Sequence, residues 1–217
     1  LNPSSAASDV YKRQPLLSSD LVNKELNSNI FIKAENLQKI GAFKFRGAMN
    51  SILKLDDDKK NVLAWSSGNH AQAIASACYL TNKNATIVMP EDSPNAKLNG
   101  TKSWGANVVT FDRYSESREE IGTNLAKEIN AEIIPPFDHP DVINGQGTVG
   151  YEIISDFKKN NIQPDLVLCC CGGGGLIAGV STAIKTEHPN VPVYAVEPED
   201  YNDTFLSLRN NKITEVD

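Results

Sequence analysis

With 217 residues, 40% of them hydrophobic and 22% charged, the chain has an ordinary globular composition and enough length to bury a sizeable core. A net charge of −6 argues against a general nucleic-acid or anionic-membrane surface, and no apolar run approaches the length that crosses a bilayer. Four cysteines, Cys78 alone and three adjacent at 169–171, give neither C-x-x-C spacing nor a disulfide framework; a reducing cytoplasm and small, buried strand positions are expected.

Residues 1–14 mix Ser, Ala and charges without periodicity. They resemble a translated sequencing-adaptor tail, show no signal peptide, and are set aside as non-native. From Pro15 onward, short apolar runs at Ile30–Ala34, Val62–Ser66, Ala85–Met89, Asn107–Thr110, Glu132–Ile134, Leu166–Cys170 and Val193–Val196 read as buried strands. Between them, Phe45–Leu55, Ala71–Tyr79, Asn95–Trp104, Glu116–Ile129, Thr148–Phe157 and Leu176–Lys185 carry apolar residues at helical spacing. This alternation predicts an α/β fold of parallel sheets covered by helices. Ser93-Pro94 is expected to open one helix, Ser115 to open the next, and Gly105 to stop the helix before it. The charged run Asp56–Lys60 and the proline-rich break Pro135–Pro140 mark the limits of an inserted unit: 56–140 is expected as a small α/β domain, with 15–55 and 141–217 forming a larger one.

Three stretches carry chemistry. Lys44 lies between Phe43 and Phe45 at the expected start of a helix, where burial and the positive helix end disfavour the ammonium and favour a nucleophilic amine able to form a Schiff base. A lysine with aromatic neighbours is equally the pattern of a snorkelling surface residue. The loop Ser66-Ser67-Gly68-Asn69-His70 follows a strand and leads into a helix, a place where hydroxyls and backbone amides can hold a carboxylate; capping by Asn69 and packing by His70 is the structural alternative. Gly172-Gly173-Gly174-Gly175-Leu176 turns a strand into a helix, where the missing Cβ atoms let amides approach a phosphate. No Gly-Lys-Ser/Thr follows, which disfavours a nucleoside triphosphate site and leaves a flexible turn or a dinucleotide site as alternatives. A fourth stretch, Glu197–Asp203, gathers carboxylates that suit either a solvated turn or a hard cation.

Taken in order, GAFKFRGA around Lys44, SSGNHAQA and GGGGL resemble the fold-type II pyridoxal-phosphate enzymes of the serine/threonine dehydratase and serine racemase family. The match runs from about Pro15 to Asp217 and takes in Phe137–Pro140 and Gly145–Thr148. The resemblance implies a tryptophan synthase β-like fold of two domains, truncated here at both ends, and a homodimer when full length. It makes Lys44 the lysine that carries pyridoxal phosphate, with Phe43 beside the ring and Asn69 on the 3′-oxygen. Gly172, Gly173, Gly174, Gly175 and Leu176 would hold the phosphate, and Ser66, Ser67, Asn69 and His70 the substrate carboxylate. Ser67 also matches the family's second acid/base, on the face opposite Lys44. Mg²⁺ or Ca²⁺ is implied at Glu197, the Tyr201 carbonyl and Asp203. The implied activity is dehydration and deamination of L-serine, L-threonine or a related 3-hydroxy amino acid to a 2-oxo acid and ammonia. Serine racemisation is the alternative, and β-replacement of the cysteine synthase type ranks below it. A non-catalytic cofactor-binding fragment is the reading from another class, and a dehydrogenase rests only on glycine-after-strand analogy. No nucleic-acid or membrane partner is expected.

Overall fold

The computed structural model describes residues 12–215. Four parallel strands form the main sheet in the order β5 (Asn107–Phe111), β4 (Asn84–Pro90), β3 (Asn61–Trp65), β6 (Ala131–Ile133). A second parallel pair joins β7 (Val167–Cys170) to β8 (Val193–Val196). Short β1 (Leu16–Leu17) and β2 (Ile32–Lys33) pair antiparallel, so the run at 30–34 is not the buried parallel strand its composition predicts; Ile32 is 60% exposed. Eight α-helices stand in chain order among the described residues: α1 (Asp20–Leu26), α2 (Lys44–Leu53), α3 (Asn69–Leu80), α4 (Asn95–Ser103), α5 (Arg118–Glu128), α6 (Pro140–Asn160), α7 (Gly175–Glu187) and α8 (Asp203–Asn210). Each strand that leads into a helix does so at its carboxyl end, which puts the first turns of α3 and α4 side by side above the neighbouring strands β3 and β4.

Two cores form. Phe45, Met49 and Ile52 of α2 join Val62, Ile74, Ile87 and Met89 in the first, and each of these side chains, fully buried, contributes about 1.5–3 kcal/mol. Val149, Ile153, Ile154 and Phe157 of α6 join Cys169, Val180 and Ile184 in the second. The cores therefore do not divide at Leu55: α2 closes the core of the main sheet while its opposite side lies on α6.

That contact is made backbone to backbone. A Cβ on Gly145 would lie 2.5 Å from the Arg46 carbonyl oxygen and 2.6 Å from Gly47 Cα, so α2 and α6 meet where neither has a side chain. On its other side α6 meets α7 in the same way: a Cβ on Gly147 would lie 3.2 Å from Gly179 O, and one on Gly150 2.9 Å from Val180 O. These glycines dilute the apolar pattern, which is why the sequence places the start of this helix at Thr148. It starts eight residues earlier, with Pro140 in the first turn and the His139 ring accepting from the Asp141 amide at 3.3 Å.

A buried ion cluster locks the same crossing. Arg46 is fully buried and donates from Nε and Nη2 to both oxygens of Glu35, at 2.8 and 2.7 Å. Its Nη1 and Nη2 reach Glu152 on α6 at 2.7 and 3.0 Å, and Nη1 also donates to Thr148 Oγ1 at 3.0 Å. Lys33 completes the cluster, 2.9 Å from Glu152 and 3.1 Å from Asp156. Burial works against the charged form of Glu152, but the hydrogen bonds and charges of Arg46 and Lys33 outweigh it and hold the carboxyl below the usual range.

Arg13 and Gln14 belong to this cluster and not to an appended tail: Arg13 donates to the Glu152 carbonyl and pairs with Asp156 at 2.5 Å, while the Gln14 amide donates to Glu152 and its side chain is buried. Residues 1–11 of that tail lie outside the described residues. The serine that caps α5 is Ser117, which accepts from the Glu120 amide at 3.2 Å, whereas Ser115 bonds Asp112. Pro94, not Ser93, occupies the cap of α4, and Gly105 stops that helix with φ +78°. Cys169 is buried as expected, but Cys170 is exposed.

Gly145→Ala should cost about 1–3 kcal/mol of unfolding free energy because neither backbone can yield, while Gly172→Ala, where nothing lies within 4 Å of the added Cβ, should cost under about 0.5 kcal/mol; denaturant titration compares them. Arg46→Met, which leaves buried Glu152 and half-buried Glu35 without their shared cation, should cost about 3–5 kcal/mol in the same assay.

Candidate active site

Lys44 opens α2, and its Nζ donates to the Pro136 carbonyl at 2.5 Å. Among the described residues it has no carboxylate partner; instead the amine lies 5.5 Å from the centre of the Phe43 ring and 6.0 Å from that of Phe137. Burial without a counter-charge lowers its pKa from 10.5 to about 8. This is a lysine turned inward, not a snorkelling one.

A cleft of about 510 Å³ receives this amine. Its walls are Phe43 and Lys44, the loop Ser66–His70, Pro136 and Phe137, Cys170 and Cys171, and Gly172–Leu176. Every residue expected to meet cofactor or substrate therefore lies on one cleft. Pro136, Phe137 and the two cysteines are additions, and only the proximity of the Phe137 motif to the glycine run in three dimensions could have shown them.

Two helix N-termini face the cleft. In α3 the first intrahelical bond is Gln72 N–H to Gly68 O, which leaves the amides of Asn69, His70 and Ala71 without helical acceptors. In α7 the first is Ala178 N–H to Gly174 O, which leaves Gly175, Leu176 and Ile177 in the same condition. Gly174 has φ +79°, the left-handed turn that only glycine adopts without strain, and an added Cβ at Gly172 or Gly174 meets nothing within 4 Å. Gly173 and Gly175 instead lie under Phe137. The unpaired amides of each first turn are donors of the kind that can receive an anion. A doubly anchored anionic ligand with a carbonyl carbon within reach of Lys44 fits these donors, and pyridoxal phosphate is of that kind.

His70 is not a free carboxylate ligand through its ring. The ring is buried, and Nε2 lies 2.9 Å from the Ile134 carbonyl, an acceptor that requires the proton on that nitrogen. Burial lowers its pKa to about 4, so the ring is neutral at ordinary pH and only the backbone amide of His70 is free to bind an anion. At the fourth stretch, Glu197 turns both oxygens onto the first turn of α8, accepting from Thr204 N–H at 3.1 Å and Phe205 N–H at 2.9 Å. Among the described residues no group of three or more His, Cys, Asp or Glu could hold a metal ion. No helix of the described residues is long and apolar enough to cross a membrane.

The family model for pyridoxal-phosphate dependent enzymes matches residues 7–217. The chain is 44% identical over 218 residues to the L-threo-3-hydroxyaspartate ammonia-lyase of Saccharomyces cerevisiae, covering all of this chain and 66% of that protein. It is 43% identical to the serine racemase of Schizosaccharomyces pombe, over 94% of this chain and 63% of the relative. The solved structure of maize serine racemase superposes on 96% of this chain and 63% of that one, at 36% identity and a TM-score of 0.92. The chain thus spans slightly less than two thirds of the length of these curated relatives.

Reductive methylation with formaldehyde and borohydride, followed by peptide mass mapping across a pH series, reads the amine directly. Lys44 should react with a midpoint near 8, because the neutral fraction rises as pH passes its lowered pKa; a midpoint above 10, like that of a solvated lysine, would contradict the burial described.

Proposed function

Because the chain belongs to the pyridoxal-phosphate dependent enzymes, we propose that the whole protein converts a 3-hydroxy amino acid (L-threonine, L-serine or L-threo-3-hydroxyaspartate) to a 2-oxo acid and ammonia, with the cofactor joined to Lys44. The observation that carries this reading is one cleft that brings a half-buried amine with a pKa near 8 to two helix N-termini. The names of the similar ammonia-lyases supply the substrate class.

Pyridoxal phosphate, when bound, supplies the aldehyde carbon for the covalent link and a conjugated ring that withdraws the electron pair left at the α-carbon. The amides of Gly172, Gly173, Gly174, Gly175 and Leu176 receive the phosphate, Asn69 donates to the 3′-oxygen, and Phe43 packs beside the ring. Ser66, Ser67 and the amides of Asn69 and His70 hold the substrate carboxylate and so fix which bond at the α-carbon is cleaved. Lys44, set free when the substrate's own amine takes its place and half uncharged at a pH near 8, would take the α-proton and return a proton to the departing β-hydroxyl, which leaves as water. Release of the enamine product and its hydrolysis give the 2-oxo acid and ammonia. Ser67 Oγ is the second proton site: delivery from it to the opposite face inverts the α-carbon, and this racemase reading is favoured by the similarity to serine racemases.

Mg²⁺ or Ca²⁺ would be held by Glu197, the Tyr201 carbonyl and Asp203, since each Glu197 oxygen keeps a lone pair after accepting one amide. The expected division into 15–55 with 141–217 and 56–140 would set the cleft between two units, with α2 packing on both, and four free thiols fit a reducing cytoplasm.

Full-length protein incubated with pyridoxal phosphate and reduced with borohydride should carry the cofactor mass on the Lys44 peptide. Lys44→Ala should abolish the adduct and lower 2-oxo acid production by at least about 10²–10⁴-fold. Ser67→Ala should remove D-serine formation while leaving 2-oxo acid formation within about tenfold. An adduct without turnover of any of the three substrates would favour a cofactor-binding module, and D-serine as the sole product would favour the racemase.

A further inference from the structure

Lys97 is an anomaly of placement. It sits in the first turn of α4, where the helix dipole disfavours a cation, and among the described residues it pairs with no carboxylate. Its Nζ instead donates to Asn69 Oδ1 at 2.5 Å, across to the first turn of α3 on the cleft wall. The approach is built in by packing one turn further on, where Gly100 lies three residues after Lys97 and Gln72 three residues after Asn69. A Cβ on Gly100 would come within 2.6 Å of Gln72 Nε2, so the Gln72 side chain of α3 lies directly on the bare backbone of α4 at Gly100. Thr101, fully buried, ties the same turn by donating to the Lys97 carbonyl at 2.9 Å.

An ammonium can only donate, so the amide atom it meets must be the oxygen, and the Asn69 NH₂ is turned the other way as a donor. Without that contact the amide could present either end to the cleft. We propose that Lys97 is a positioning residue that fixes the Asn69 amide with its NH₂ as the group offered to the cofactor's 3′-oxygen. This inference rests on the reading of Asn69 given under Proposed function. Lys97 needs no contact with cofactor or substrate; it acts through Asn69 by setting which atom is presented and by polarising the amide, which strengthens its N–H donors.

The test uses full-length protein and pyridoxal phosphate, with cofactor dissociation constants from absorbance titration and the position of the bound cofactor's visible band. Circular dichroism melts confirm that each variant is folded. Lys97→Met should weaken cofactor binding roughly threefold to tenfold, the worth of one hydrogen bond, and shift the band. Lys97→Arg, which keeps a donor, should restore both. Asn69→Ala should weaken binding by itself, and adding Lys97→Met to it should have no further effect. The inference is overturned if Lys97→Met leaves affinity and band unchanged, or if its effect persists in full in the Asn69→Ala background, which would make it a direct charge effect. If Asn69→Ala alone changes neither quantity, the reading of Asn69 fails and the inference fails with it.

Discussion

The close crossing of α6 with α2 on one side and α7 on the other is the constraint on which the rest of the molecule depends. Lys44 is the first residue of α2, and the glycine run leads directly into α7. The separation of the amine from the glycine run is therefore set by how near α6 lets these two helices approach. Gly145, Gly147 and Gly150 remove the side chains that would hold them apart, and the Arg46 cluster prevents α2 from sliding along the groove this leaves. A packed interior has few intermediate positions, so such a crossing fixes geometry better than a loop could.

On this scaffold, unequal electrostatics at the cleft make chemical sense. Two first turns supply unpaired N–H groups and positive dipole ends, while the lysine between them is buried among aromatic rings and a carbonyl, without a carboxylate. Anions are drawn to the helix ends, and the amine loses its charge readily. Carboxylates are instead concentrated at Glu35, Glu152 and Asp156, where they neutralise Arg46, Lys33 and Arg13 away from the cleft. The fold keeps its structural cations paired and its reactive one unpaired.

Much of this was legible in the sequence wherever burial leaves a hydrophobic period. Strands β3, β4, β5 and β7 and helices α2, α3 and α7 lie within a few residues of expectation, and the positions expected to meet pyridoxal phosphate and substrate line one cleft. The first half of α6 was not legible, because a glycine buried against another backbone leaves no mark in an apolar pattern. Nor was the Arg46 cluster: charges at 35, 46 and 152 each read as surface until the fold brings them together. The partner of the buried His70 ring was not legible either: it is the Ile134 carbonyl, 64 residues away in the chain, at the end of a neighbouring strand. The pairing of Lys97 with Asn69 is of the same kind, set by which strands are neighbours.

The central claim is that α6 mounts one amine and one glycine loop at a working distance across a single cleft. A crystal structure of the full-length protein grown with pyridoxal phosphate tests it most directly. The account predicts continuous density from Lys44 Nζ to the cofactor, with the phosphate on the amides of Gly172–Leu176. Density joined to another lysine, or a phosphate seated on the first turn of α3 instead, would contradict it.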